Sequence, residues 1–218
     1  MMALTHGAVS VGLVALAMPL FGEYAGPPLL VAALVGGIAP DVDLVANHRR
    51  TCHYPVGYTL LTGALAVWTR RSPSTAFVVA AVAVGSAALH AWSDVLAGSV
   101  EPAPWNPTTE RAVYNHTLGG WHRPRRYVRY SGAPEDFLLA LGGVTLALLS
   151  PATGPTAAAG LLWLLVVAGG YTLCRRRLSE LPDRLATLLP ERVLRVCPSV
   201  RIDETDSGAT TLTVRFRP

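Results

Sequence analysis

Two long runs without charge dominate the start of this chain and restrict its fold more than anything else in it. An uncharged stretch from Gly7 to Gly22 is broken at Gly26-Pro27-Pro28, a second apolar run continues to Pro40, and no arginine precedes residue 49. With no basic region ahead of the first run, the chain lacks the pattern of a cleaved signal peptide and reads as keeping its first helix. Four further apolar runs follow: Tyr54 to Trp68, Thr75 to Leu89 with helical continuation through His90 to about Gly98, Phe137 to Ala152, and Thr156 to Cys174. Several are shorter than the ~20 residues that cross a bilayer comfortably, but small residues dominate them, which suits close helix–helix packing. The expected fold is an all-α, polytopic membrane helix bundle of about five or six spans. A soluble all-α domain is the competing architecture, and it needs polar helix faces that these runs do not supply.

Composition agrees. Hydrophobic residues make up 51% of the 218 and charged ones only 15%, where soluble domains carry about a quarter. All 18 basic residues are arginine. If six spans start with the N-terminus inside, Arg49 and Arg50, the five arginines from residue 111 to 129 and the nine from Arg175 onward lie in the cytoplasm, and only Arg70 and Arg71 lie outside. A split of 16 to 2 is a strong positive-inside bias. The expected location is the plasma membrane, multi-pass, with both termini cytoplasmic and the lipid bilayer as the first partner. Nucleic-acid binding would rest on the basic tail alone.

Residues 1–174 therefore read as a membrane-embedded domain with a polar Pro/Trp/Arg-rich cytoplasmic segment at 99–136, and 175–218 as a short soluble tail. In that tail Leu178 to Leu194 suits an amphipathic helix at the membrane surface. Val200 to Phe216 alternates around Asp206-Ser207-Gly208 as a β-hairpin does. Cys52, Cys174 and Cys197 are scattered and odd in number, and form neither a zinc-type pair nor a disulfide framework.

The topology places chemistry at one face. His6 lies at the cytoplasmic start of the first span; Asp41, Asp43, His48 and His53 lie in the loop after the second; His90 and Asp94 lie near the cytoplasmic end of the fourth. Ionisable groups beside membrane spans are costly and tend to be functional. His90 and Asp94, four apart on a helix, project from one face. They can reach one metal together, or the carboxylate can orient the imidazole from behind. Asp41 and Asp43 in an extended Pro-Asp-x-Asp segment can bind one metal or bridge two. Imidazole and carboxylate donors without thiolate suit zinc, manganese or iron. The bland reading of each feature alone is a hydrogen-bonded interfacial histidine, an ordinary i,i+4 pair, or an Asx cap.

His6, Pro40-Asp41-Val42-Asp43, His48-Arg49-Arg50 with His53, and His90-xxx-Asp94 resemble the YdjM-type family of membrane-bound metal-dependent hydrolases, itself similar in motif logic to the zinc-dependent phospholipase C and P1 nuclease group. Glu101 to Trp105, Arg111 to Tyr114, Trp121 and Arg125-Arg126 resemble haloarchaeal members more specifically. The resemblance covers about residues 3 to 140. It implies His6, Asp41, Asp43, His48, His53, His90 and Asp94 as metal ligands, with zinc first and manganese or iron as alternatives. His116 and His122 are second-tier candidates. The activity it implies is hydrolysis of a phosphoester or lipid ester, a phospholipid for example, by metal-activated water. Asp41, Asp43 or Asp94 would orient the water or act as base. Arg49, Arg50, Arg123, Arg125 and Arg126 would hold phosphate or else anchor lipid headgroups. No GxSxG motif points to serine hydrolysis. The alternative is a non-catalytic membrane protein with a structural or sensory metal site. A transport path is disfavoured because the span interiors are almost free of charge.

Overall fold

The computed structural model describes residues 1–99, 105–188, 199–204 and 210–215. It is mostly helical, with a helix at each of the six apolar runs: α1 (Ala3–Leu16), α2 (Pro27–Ile38), α3 (Pro55–Arg71), α4 (Thr75–Leu96), α5 (Pro134–Leu148) and α6 (Pro155–Leu188). Prolines open four of them, where the missing N–H has no partner to lose and φ is already helical. α4 is capped instead by Ser74, whose Oγ accepts from the Phe77 amide at 3.3 Å. Short 3-10 segments follow α1 (Met18–Tyr24) and α2 (Ala39–Val45).

α1 packs against α2 and α5, α2 against α4, and α4 against α3. The contacts are made by small residues. A methyl group at Gly12 would overlap the Gly143 carbonyl, one at Gly143 would overlap Ala8, and one at Gly36 would overlap the Ala83 carbonyl. Ala8, Val11, Ala15, Ala33, Val82, Ala140 and Val144 fill the core, while Leu60, Val67, Leu138, Leu162, Trp163 and Val166 face outward. Small side chains inside and large apolar ones outside is the arrangement expected where hydrocarbon, not water, surrounds a bundle.

Among the described residues, three helical stretches are long and apolar enough to cross a membrane: Pro27–Leu44, Thr75–Leu96 and Pro155–Glu180. A fourth is formed if α1 and Met18–Tyr24, bent by 74° to one another, act as one span. Pro19 and Gly22, the latter at φ 54°, keep α1 from continuing straight. α3 and α5, at 17 and 15 residues, fall short of the ~20 that span hydrocarbon. The structure thus gives three to four spans of full length where five or six were expected. In α6 only 11% of the apolar stretch is buried.

Within the polar segment, β1 (Tyr114–Asn115) and β2 (Gly120–Trp121) form a small antiparallel hairpin. Asn115 Oδ1 accepts from the Thr117 and Leu118 amides, and Gly119 takes a left-handed φ of 68° to close the turn. The chain forms two compact units, Met1–Leu173 and Cys174–Pro218. In the second, β3 (Ser199–Glu204) pairs antiparallel with β4 (Thr210–Arg215), Val200 opposite Val214; the expected turn at Asp206-Ser207-Gly208 lies outside the described residues. α6 runs unbroken to Leu188, so the first part of the anticipated surface helix continues the last span. Residues 189–194 lie outside the described residues.

Candidate metal centre

The start of α1, the end of α2, the start of α3, the end of α4 and the start of α5 meet at one end of the bundle. His6 reaches Asp94, His53 reaches His90, and Asp136 accepts from the Met2 amide. Pro40 ends α2 in the 3-10 segment that carries Asp41 and Asp43. The following loop turns sharply at Arg49, whose φ of 60° is rare for a residue with a side chain, and delivers His48, Arg49 and His53. Tyr58 pins the loop by donating to the Cys52 carbonyl at 2.8 Å.

Four buried donor atoms converge there: Asp41 Oδ1, His53 Nε2, His90 Nε2 and Asp94 Oδ2. The two Nε2 atoms are 3.0 Å apart. Asp41 Oδ1 lies 3.4 Å from His90 and 3.8 Å from His53; Asp94 Oδ2 lies 3.4 Å from His53 and 3.6 Å from His90. Those carboxylate distances exceed the usual N–H···O range of about 2.7–3.2 Å, and Asp94 Oδ2, though fully buried, makes no hydrogen bond. They match instead the edge of a tetrahedron, about 3.3 Å for donors about 2.0–2.1 Å from a central ion.

The outer nitrogens sharpen this. His90 Nδ1 donates to the Gly37 carbonyl at 2.7 Å, an oxygen that can only accept. His53 Nδ1 donates to Asp43 Oδ2 at 2.9 Å, an oxygen that also accepts from the Cys52 amide at 3.1 Å. Both rings in their neutral form are therefore fixed in the tautomer that turns an Nε2 lone pair inward. Two lone pairs facing each other at 3.0 Å repel unless a cation, either a proton on one ring or a metal ion, lies between them. His53 shows the same demand: burial favours its neutral form, but its hydrogen bond to Asp43 and the negative charge of the adjacent Asp94 prevail and raise its pKa above the ordinary value.

His6 stands one layer out. Its Nε2 is 3.1 Å from Asp94 Oδ1, its Nδ1 is 3.0 Å from Ser93 Oγ, and its ring stacks on His90 with centroids 3.7 Å apart. With the Met1 nitrogen at 2.7 Å from the same Oδ1, these contacts leave Asp94 Oδ2 for the centre. Arg49 is buried, donates through Nη1 to the Gly98 carbonyl at 2.6 Å and holds Nε 3.1 Å from Asp94 Oδ2. It is built into the wall of the centre. A second group shares Asp41: with Asp43 and His48 it forms another set of potential donors. His48 Nδ1 lies 2.8 Å from Asp43 Oδ1 and 3.9 Å from Asp41 Oδ1, and its side chain is 20% exposed, so this side faces out.

The other candidates lie farther off. Arg50 stacks on Tyr114 at 4.4 Å. Arg125 is exposed, and Arg126 pairs with Glu110 at 2.9 Å. His116 donates to the Arg50 carbonyl at 2.7 Å, and His122 lies 3.1 Å from the Asn115 amide nitrogen. Sequence reasoning missed the Gly37 carbonyl and Ser93, which no side-chain pattern marks. It also missed buried Asp136, whose Oδ2 ties the start of α1 to α5 through the Met2 and Gly132 amides. In comparisons with known proteins, no family model, no curated protein and no solved structure matches this chain.

Proposed function

We propose that this chain is an integral membrane protein whose Asp41/His53/His90/Asp94 centre holds a divalent metal ion and hydrolyses an ester, a phosphoester foremost, at the cytoplasmic face. The carrying observation is the pair of inward Nε2 atoms 3.0 Å apart, each with its Nδ1 already committed. Two imidazoles and two carboxylates at tetrahedral spacing suit zinc best; manganese and iron share the donor preference. Bound there, such an ion supplies Lewis acidity that activates water and polarises the ester.

The protein's own residues divide the remaining work. Asp43 and the Gly37 carbonyl fix the two imidazoles in their ligating tautomer. His6 aims Asp94, and Arg49 offsets its charge in a buried site. Asp41 is 8% exposed, the most accessible carboxylate of the inner set. With partly exposed His48 it stands where water enters, so it is the group placed to take the proton that attacking water releases. With six crossings the arginines divide 16 to 2, which supports placing this end of the bundle in the cytoplasm.

Detergent-purified protein is expected to carry tightly bound zinc, measured by elemental analysis, and to hydrolyse bis(4-nitrophenyl) phosphate. His90→Ala should abolish both, and Asp41→Asn should remove turnover. Full turnover in a metal-free preparation would sink the reading. One observation favours a second reading, a structural metal site: all four inner donors come from the protein and none is more than 8% exposed, as in closed structural centres. Metal-dependent thermal stability with no turnover of any phosphoester or lipid ester distinguishes it.

A further inference from the structure

A cavity of about 320 Å³ lies directly behind the centre, between α1, α4 and α5. Its wall is Val9, Leu89, Leu96, Val128 and Leu139, and at one end it meets His6, His90 and Ser93. The hydrolase reading does not use it. Ligand pockets run from about 300 to 1,000 Å³, so this one has room for a single slender apolar group. It is not sealed: Leu96 is 46% and Leu139 43% exposed, so the mouth lies on the outer surface of the bundle. Leu89 and Leu96 belong to Thr75–Leu96, one of the stretches of membrane-crossing length. Where that stretch crosses the bilayer, hydrocarbon surrounds its outer face.

The rim has the opposite character. The last carbonyls of α4 have no intrahelical partners, and the segment Arg125–Val128 supplies them: the Arg125 amide donates to Val95 at 2.9 Å, Arg126 to Ala97 at 3.2 Å and Tyr127 to Leu96 at 3.0 Å. This lays exposed Arg125 and 75%-exposed Tyr127 beside the mouth. Exposed Arg123 is two residues away. A basic, aromatic rim over an apolar slot is complementary to an anionic headgroup above an acyl chain.

We infer that the cavity takes one acyl chain of an anionic phospholipid, which enters sideways from the bilayer and leaves its headgroup at the basic rim. That this lipid is the substrate rests on the hydrolase reading; that its chain occupies the cavity does not.

The test uses the full chain in nanodiscs containing phosphatidylglycerol with a diazirine in the middle of one acyl chain. After photolysis, labelled peptides are mapped by mass spectrometry. Label should concentrate on residues 89–96 and 127–139, several-fold above the outward face of α6 around Leu162 and Trp163. Val9→Trp and Leu139→Trp, each filling the slot, should cut that label at least fivefold with bound metal retained. Leu139→Trp changes a half-exposed position and keeps the test usable if Val9→Trp does not fold, while Leu162→Trp serves as control. Labelling no stronger than on α6, or unchanged by both filling substitutions, shows annular lipid only and overturns the inference. Turnover of bis(4-nitrophenyl) phosphate by wild type and Asp41→Asn is scored separately. Its failure refutes the hydrolase and leaves the labelling result to decide the pocket.

Discussion

Asp43→Asn separates a residue that holds a ligand from one that is a ligand. Asp43 is 2% exposed and receives three contacts: the His48 ring at 2.8 Å, the His53 ring at 2.9 Å and the Cys52 amide at 3.1 Å. Asparagine keeps the shape but has one acceptor oxygen where the carboxylate has two, and it turns an NH₂ group toward donors. His53 Nδ1–H then loses part of its partner, and the ring is freed to place its proton on Nε2, where the metal must bind. Substitution of such outer partners costs about 10–100-fold in metal affinity, or about 1.4–2.8 kcal/mol. Loss of a hydrogen bond to a charged group also lowers stability, by about 1.5–3 kcal/mol. Zinc titration in detergent against a chromophoric chelator should show unchanged stoichiometry at saturation and a dissociation constant raised within that range. Loss of one equivalent would make Asp43 a ligand of a second ion through the Asp41/Asp43/His48 group. An unchanged constant would refute the claim that Asp43 fixes the tautomer.

Two further outcomes follow from charges outside the inner donor set. Arg49→Gly relieves the left-handed backbone at φ 60° while removing the buried guanidinium. It should still lower thermal stability by about 3–5 kcal/mol, because it leaves Asp94 without that charge, and added zinc should restore part of the loss; a rise in melting temperature would show that backbone relief outweighs the charge. Glu135 has its pKa lowered to about 2 by the hydrogen bonds it accepts from the Arg129 side chain. A carboxylate with a depressed folded-state pKa contributes stability above its unfolded value, about 4.5, and loses it as pH falls toward 2. Because Arg129 is mostly exposed, the effect is small. The drop in melting temperature between pH 6 and pH 3 should be slightly smaller for Glu135→Gln than for wild type, and an equal drop contradicts the assignment.

Much of this was readable from the residues because it depends on runs and spacings. Apolar stretches bounded by Pro27, Pro55, Pro134 and Pro155 became helices beginning at those prolines. The i,i+4 spacing of His90 and Asp94 did bring both to one centre. Span length was less legible: it depends on where a helix stops, and the bend after Leu16 and the shortness of α3 and α5 come from local geometry that hydropathy does not record. The layering of the donors was illegible for another reason. Seven ionisable residues at one end of a bundle look alike in sequence. Only the partner of each second atom shows that His6 faces Ser93 and Asp94 while His53 and His90 face inward. A backbone carbonyl such as that of Gly37 has no sequence signature at all.

That carbonyl joins the packing of the bundle to its chemistry, which makes the site testable without touching a donor. Gly36 lies where α2 presses on α4, and a methyl group there would overlap the Ala83 carbonyl, a backbone atom that cannot swing aside. The next residue, Gly37, supplies the acceptor for His90, and Asp41 follows within little more than a helical turn. Gly36→Ala should therefore push the end of α2 away from α4, lengthening the Gly37–His90 bond and the Asp41–His90 distance together. Overpacking of this kind costs about 1–3 kcal/mol, and zinc affinity should fall with stability although every ligand is present. Gly142→Ala is the matched control: a methyl at Gly142 meets nothing within 4 Å, and the substitution should be neutral or stabilising by about 0.5–1 kcal/mol. Wild-type zinc affinity and melting temperature in Gly36→Ala would show that the α2–α4 contact does not set the spacing of the donors.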